Sequence, residues 1–198
     1  ALVNQGIVLE HLNADSSLVL AKFRNAHELA VIHENRSNVL WTSLRIAKHY
    51  LNLGYLNNSE EIKHYTIVQE LVQDTSLHVE TRYLGYRYLG NRHTRYNDFN
   101  PAFEYYYQAY EMAKLKNDVE LIVKLCNNLL LITERTNDTT GNHGLITEAL
   151  SLIPKDDNYN LALYNTNLAE DNYLNDKKRK RDYLDKALSN FSKSSKKE

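Results

Sequence analysis

The stretch Arg82–Asn117 constrains the fold more than any other part of this 198-residue chain. Its apolar and small residues recur at helical spacing on both sides of Asn97-Asp98-Phe99, which reads as a turn. Before the turn, Leu89 and Gly90 follow Tyr86 by three and four residues. After it, Ala102, Tyr106 and Ala109 fall at i, i+4 and i+7, which places them on one helix face. The pattern predicts two amphipathic helices and a tight connection. Small Ala102 and Ala109 allow a close helix pair, and Tyr106 fills the space beside them. A lone helical hairpin cannot bury its apolar face, so the rest of the chain must supply neighbours.

The sequence has the means to do so. Hydrophobic residues make up 42%, and only 2 Pro and 6 Gly interrupt helical periodicity. No β-type alternation flanked by hairpin turns occurs. Residues 2–12 predict a short helix with Val3, Ile7 and Leu12 as its apolar positions. Residues 16–34, capped by Asp15 or Ser16, predict a longer one with Leu18, Ala21, Leu29 and Ile32 inward. Helix 38–53 follows a cap at Ser37 or Asn38 and carries Ile46-Ala47 and Tyr50. Asn57-Asn58-Ser59 reads as the next cap, with Glu60 and Glu61 in the first turn as part of it. Helix 59–73 is expected to bury Ile62, Tyr65, Val68 and Leu71 or Val72. Leu121, Ile122, Leu125, Leu129 and Ile132 make helix 118–135 strongly apolar on one face. Helices 143–153, 158–174 and 178–192 complete five hairpins. The last pair offers Leu161, Tyr164 and Leu168, then Tyr183, Ala187 and Phe191. The tail 193–198 is polar.

Residues 83–116 resemble the tetratricopeptide repeat (TPR), a 34-residue helical hairpin with the pattern W-x2-L-G-x2-Y, then A-x3-F and A. Tyr86 stands in the Trp slot, Leu89 and Gly90 match, and His93 replaces the Tyr; the closing Pro is absent. Partial matches extend over about residues 38–192, including Ile46-Ala47, Tyr50 and Gly54, and Ala149 four residues before the end of a stretch closed by Pro154. The resemblance implies an all-α fold, a right-handed superhelical array of antiparallel hairpins, or TPR-like α-solenoid, as a single domain over 1–192.

Little chemistry suggests an enzyme. HExxH, a Walker loop, GxGxxG and GxSxG are all absent, so no catalytic residue, metal or cofactor is expected. The eight His residues read as structural or solvated. Lone Cys126 cannot form an internal disulfide and reads as a small buried residue in the most apolar helix. Asp156-Asp157 reads as a cap. The balance of 24 Lys+Arg and 25 Asp+Glu argues against direct nucleic-acid binding. The run Lys177–Arg181 reads first as a solvated turn, with a nuclear signal as the other reading. No apolar run reaches the roughly 18–20 residues of a membrane span, and a cytoplasmic location is expected. Helical periodicity starts at Ala1, which suggests that a segment precedes it.

In TPR proteins positions 2, 5, 9 and 12 of each repeat face the ligand. By that register the resemblance implies Leu84, Arg87, Asn91 and Thr94 in the best repeat. In the repeat before it, Trp41, Leu44, Lys48 and Leu51 take these places, with Arg45 alongside. Asn127 and Asn165, with Asn128, follow from later repeats. The residues suit the role. Arg87 and Asn91 lie at i and i+4, away from the Tyr86, Leu89, Gly90 face. Asn offers both a donor and an acceptor to peptide backbone, and Arg pairs bidentately with carboxylates. Ordinary solvated positions are the competing reading, since the chain has 23 Asn. The expected function is a non-enzymatic scaffold that binds a protein or an extended peptide with an acidic end, and homo-oligomers are compatible with it. The alternative is a peptide-sensing regulatory domain, similar to those of Gram-positive quorum-sensing regulators, whose DNA-binding part lies outside this chain.

Overall fold

The computed structural model describes residues 2–55, 58–138, 140–170 and 177–194, without the side chains of 167–170 and 177. Asn57, residues 171–174 of the last expected hairpin, the Leu168 and Lys177 side chains and the end of the tail lie outside the described residues. The described residues form ten helices and no strand: α1 (Leu2–His11), α2 (Ser16–Ile32), α3 (Arg36–Asn52), α4 (Ser59–Leu71), α5 (Val79–Arg95), α6 (Phe99–Lys116), α7 (Val119–Thr136), α8 (Asn142–Leu152), α9 (Asn158–Glu170) and α10 (Lys177–Ser194). The protein is all-α, as periodicity predicts. The chain divides into two compact units, Ala1–Met112 and Ala113–Glu198, with the boundary falling in the α6 sequence.

One turn chemistry recurs between the helices. Asn13, Glu34, Gly54, Asn97, Asn117 and Asn137 each take a left-handed conformation just beyond a helix. In each case the next residue's N–H returns to a carbonyl five residues back, as in Asp98 to His93 at 3.0 Å and Asn35 to Ala30 at 2.9 Å. That bond satisfies a carbonyl the helix end leaves open, and Asn tolerates the left-handed region better than other side chains. The residue that closes one helix is often followed at once by the cap of the next. Asn35 accepts from the Asn38 N–H at 3.0 Å, and Asp118 from the Leu121 N–H at 3.0 Å. Asn35 therefore replaces the expected Ser37 or Asn38 cap, and α3 begins two residues earlier.

In the first unit, consecutive helices pack on one another from α1 to α5, and α3 also packs on α5. Val19, Leu20, Phe23, Ile46 and Tyr50 form a core that Val3 and Ile7 of α1 cover. Gly6 lets α1 lie directly on Phe23: a Cβ there would stand 2.5 Å from the ring. Leu12, expected inward, is exposed. The apolar face of α2 is also different from the expected one. Leu18, Leu29 and Ile32 are exposed, while Val19, Leu20, Phe23, His27 and Ala30 are buried. This helix is apolar on two sides, and seating the large Phe23 ring decides between them. On α4, Ile62 is exposed and Tyr65 only half-buried; Glu61 and His64 are buried with Val68 and Val72. The Glu60-Glu61 pair is not the cap, a role taken by Asn58, which accepts from the Glu60 N–H at 2.9 Å.

The α5/α6 pair follows the spacing argument closely. Ala102 and Ala109 are fully buried, and Tyr106 is 4% exposed. A Cβ on Gly90 would approach the Tyr106 ring to 2.6 Å, so only Gly admits the ring at this depth. Ala102→Leu should overpack the pair and cost about 1–3 kcal/mol. Urea unfolding of the variant tests this, and a transition unchanged from the parent's would contradict the close packing.

In the second unit, Leu121, Ile122, Leu125, Leu129 and Ile132 of α7 are buried as expected. Cys126 is buried among them, and burial pushes its thiol up to about 12. The Tyr164 hydroxyl, from fully buried Tyr164 on α9, donates to the Val123 carbonyl at 2.7 Å. Asp157 caps α9 through the Asn160 N–H at 3.2 Å. Ala187 is buried on α10, but Phe191 is 41% exposed and meets the Tyr159 ring edge to face. With only Ala187 of its expected apolar residues fully buried, α10 has no deep seat for that ring.

Candidate cationic groove

Two helices of the first unit carry the site. On α3, Trp41 and Arg45, and Leu44 and Lys48, are i, i+4 pairs; on α5, Leu84 and Tyr88, and Arg87 and Asn91, repeat that spacing. Because α3 packs on α5, all eight line one cavity of about 140 Å³. The structure thus brings together four residues picked out in the sequence, Arg45, Lys48, Arg87 and Asn91. None of the described lining residues is acidic.

The charges here are poorly compensated. Burial lowers the pKa of Arg45, with Glu10 opposing the shift. Burial also lowers that of Lys48, and the positive charges of Arg45 and Arg87 add to the effect. Glu10 is itself committed to the His49 ring at 3.0 Å. The Arg45 guanidinium lies 4.4 Å from the centre of the Trp41 ring, and its Nε is buried without a hydrogen-bond partner. An unpaired buried N–H on a cation is costly unless something accepts from it. Arg87 is half-buried and makes no hydrogen bond or ion pair with a described residue.

Asn91 is less free than its sequence position implies. Its Oδ1 accepts from the Tyr106 hydroxyl at 2.8 Å, which takes one of its two lone pairs and fixes the orientation of the amide. Leu51 and Thr94 do not line the cavity. Leu51 is 2% exposed, and the Thr94 hydroxyl donates to the Gly90 carbonyl at 2.8 Å. Asn127 is half-buried on α7, and Asn165 is buried on α9, donating to the Leu161 carbonyl at 2.6 Å. Both belong to the other unit.

Three polar clusters, two buried and one half-buried, escape sequence reasoning. Arg24 holds Glu60 at 2.5 Å, and the Tyr50 hydroxyl donates to Glu60 at 2.7 Å. Glu60 is lowered to about 2, chiefly by the Arg24 hydrogen bond working against burial. Glu61, fully buried, accepts from Tyr88 and from Arg92 Nε, both at 2.8 Å. His27 and His64 meet edge to face at 4.7 Å, bonded to Thr42 and Ser43. The only sequence signal was polar residues standing at apolar positions of the helical pattern. The Glu61 and His27–His64 clusters are internal and the Arg24–Glu60 pair is half-buried; of these residues Tyr88 alone lines the cavity. Among the described residues, no three metal-binding side chains come together and no helix is long and apolar enough to cross a membrane.

The described residues thus define an all-helical protein with a cationic cleft between α3 and α5 of its first unit. No family model matches the chain, and no curated protein matches it by sequence. Among solved structures it is similar to BtubC (BKLC) from P. vanneervenii, with a TM-score of 0.61 and 17% sequence identity over 86% of this chain and 71% of that one. At that identity the likeness is one of fold.

Proposed function

We propose that the chain is a non-enzymatic binding scaffold built of TPR-like hairpins, which holds a partner protein or extended peptide by a carboxylate in the α3/α5 groove. The observation that carries this reading is the convergence of Arg45, Lys48 and Arg87 on one cavity with no acidic lining residue and an unpartnered Arg45 Nε. A bound carboxylate accepts from that N–H and offsets the crowded positive charge, and Arg87 is available to pair with it. The Gly90–Tyr106 seat and the buried Ala102 and Ala109 support the TPR-like reading of α5 and α6.

Arg87→Ala removes a cation that anchors nothing in the fold. It should weaken binding of a glutamate-rich peptide by about 1.5–3 kcal/mol, roughly ten- to hundred-fold, and leave the melting temperature unchanged. The matched control replaces Lys178 and Arg179 on α10 by Ala and should bind like the parent. Isothermal titration at two salt concentrations makes the comparison. Equal affinity of Arg87→Ala and the parent would remove the groove from consideration.

A further inference from the structure

A second, larger cavity of about 570 Å³ opens among α1, α2 and α3. Leu2 and Val3 of α1, Leu29 and His33 of α2, and Asn38 and Trp41 of α3 are among its lining residues. Its volume lies within the roughly 300–1,000 Å³ typical of ligand sites, and its wall is mainly apolar with a few polar groups, the usual composition of such sites. Leu29 belongs to the apolar stripe of α2 that the fold leaves outside the core; it is 47% exposed here.

The two cavities share a wall. Trp41 lines both, and Arg45, which belongs to the cationic groove, stacks on the Trp41 ring. A ligand anchored by a carboxylate at Arg45, Lys48 and Arg87 therefore has an apolar chamber on the far side of Trp41. The chamber alone says nothing of its occupant. Its adjacency to a cationic cleft does, because the charge selects a carboxylate and the shared Trp41 sets the two cavities side by side along α3.

We infer that the cavity among α1, α2 and α3 is a specificity subsite, and that the ligand is a peptide segment in which bulky apolar side chains immediately flank the carboxylate. This rests on the proposed carboxylate-binding groove. The carboxylate sits in the groove, the peptide passes over Trp41, and the apolar side chains enter the chamber, with His33, Asn35, Asn38 and Thr42 as its polar groups. Affinity for the carboxylate and preference for its neighbours thus reside in different walls.

Trp41 is the sole tryptophan in the chain, so its fluorescence reports occupancy directly. Three acetylated hexapeptides serve as probes: three leucines followed by three glutamates, three glycines followed by three glutamates, and three leucines followed by three glutamines with an amidated end. The leucine-glutamate peptide should bind about ten-fold or more tightly than the glycine-glutamate peptide, since a seated leucine removes its apolar surface from water. The glutamine peptide should bind weakest. Leu29→Ser, a change at a half-exposed position, should abolish the leucine advantage while leaving the glycine-glutamate affinity intact, with circular dichroism confirming the fold. Equal affinity for the leucine and glycine peptides overturns the subsite but leaves the groove reading standing. A leucine advantage that survives Leu29→Ser overturns its placement. Failure of both glutamate peptides to bind overturns the groove reading and the subsite together.

Discussion

Replacing Glu61 by Ala is expected to destabilise the first unit by about 3–5 kcal/mol. Glu61 is fully buried on α4 and accepts from the Tyr88 hydroxyl and from the Arg92 guanidinium at 2.8 Å and 3.2 Å. The Arg92 side chain is only 11% exposed. Burial alone would lower the Arg92 pKa, but the hydrogen bond and charge of Glu61 override it and raise it. Without Glu61 that cation stays buried against the Tyr65 and Tyr96 rings at 3.8 Å and 4.9 Å with its carboxylate gone, and Tyr88 loses its acceptor. Removing both charges is a different matter: Glu61→Leu with Arg92→Leu should recover much of the loss, because buried ion pairs contribute little beyond an apolar substitute. Urea unfolding followed by Trp41 fluorescence reads this unit specifically. A Glu61→Ala transition within about 1 kcal/mol of the parent's would show that water reaches the pair and that it does not brace α4 against α5.

The same residue marks where sequence reasoning stops. The faces of α6 and α7 were legible because one feature set them. In α7 five apolar residues occupy one stripe, and in α6 two alanines flank a tyrosine opposite Gly90. In α2 and α4 the burial is decided by partners distant in the chain. Glu61 meets Arg92 thirty-one residues on, and His64 meets Ser43 twenty-one residues back. No local period carries such pairings, so Ile62 looked like core and Glu61 like a cap. The groove was legible in part because α3 and α5 have regular register, and a shared i, i+4 spacing fixes which side chains line the seam. What remained hidden was the commitment of Asn91 to Tyr106, and the burial that leaves the Arg45 Nε without a partner. The left-handed turns were half visible: Asn-Asp recurs at 97–98, 117–118 and 137–138, and the structure shows that the Asn ends one helix in each case.

The first unit should also lose stability as pH falls from about 6.5 toward 4. The Thr42 hydroxyl donates to the Asn38 carbonyl at 2.7 Å, so it must accept from His27 Nδ1 at 3.0 Å. His27 therefore carries its proton on Nδ1, which leaves the Ser43 hydroxyl free to donate to His64 Nδ1 at 3.2 Å. Both rings are neutral in this arrangement, and their edge-to-face contact disfavours a charge on either. Burial, then His27, lowers His64 to about 4, with Glu60 opposing and Lys63 and Arg24 reinforcing the shift. Burial and then Lys63 lower His27, against Glu28. Because the native pKa lies below the ordinary 6.5, the unfolded chain binds the proton first. The stabilising effect is complete above about 6.5 and is lost as pH falls toward about 4, for a total of about 3 kcal/mol from His64 alone. The Arg24–Glu60 pair acts in a separate window: Glu60, lowered to about 2, keeps its contribution above its ordinary 4.5 and loses it only as pH falls from there toward 2. Urea midpoints read by Trp41 between pH 7.5 and 4.5 therefore isolate the histidines. His64→Gln should flatten that slope. An unchanged slope in the variant would assign the acid sensitivity to groups other than this buried pair.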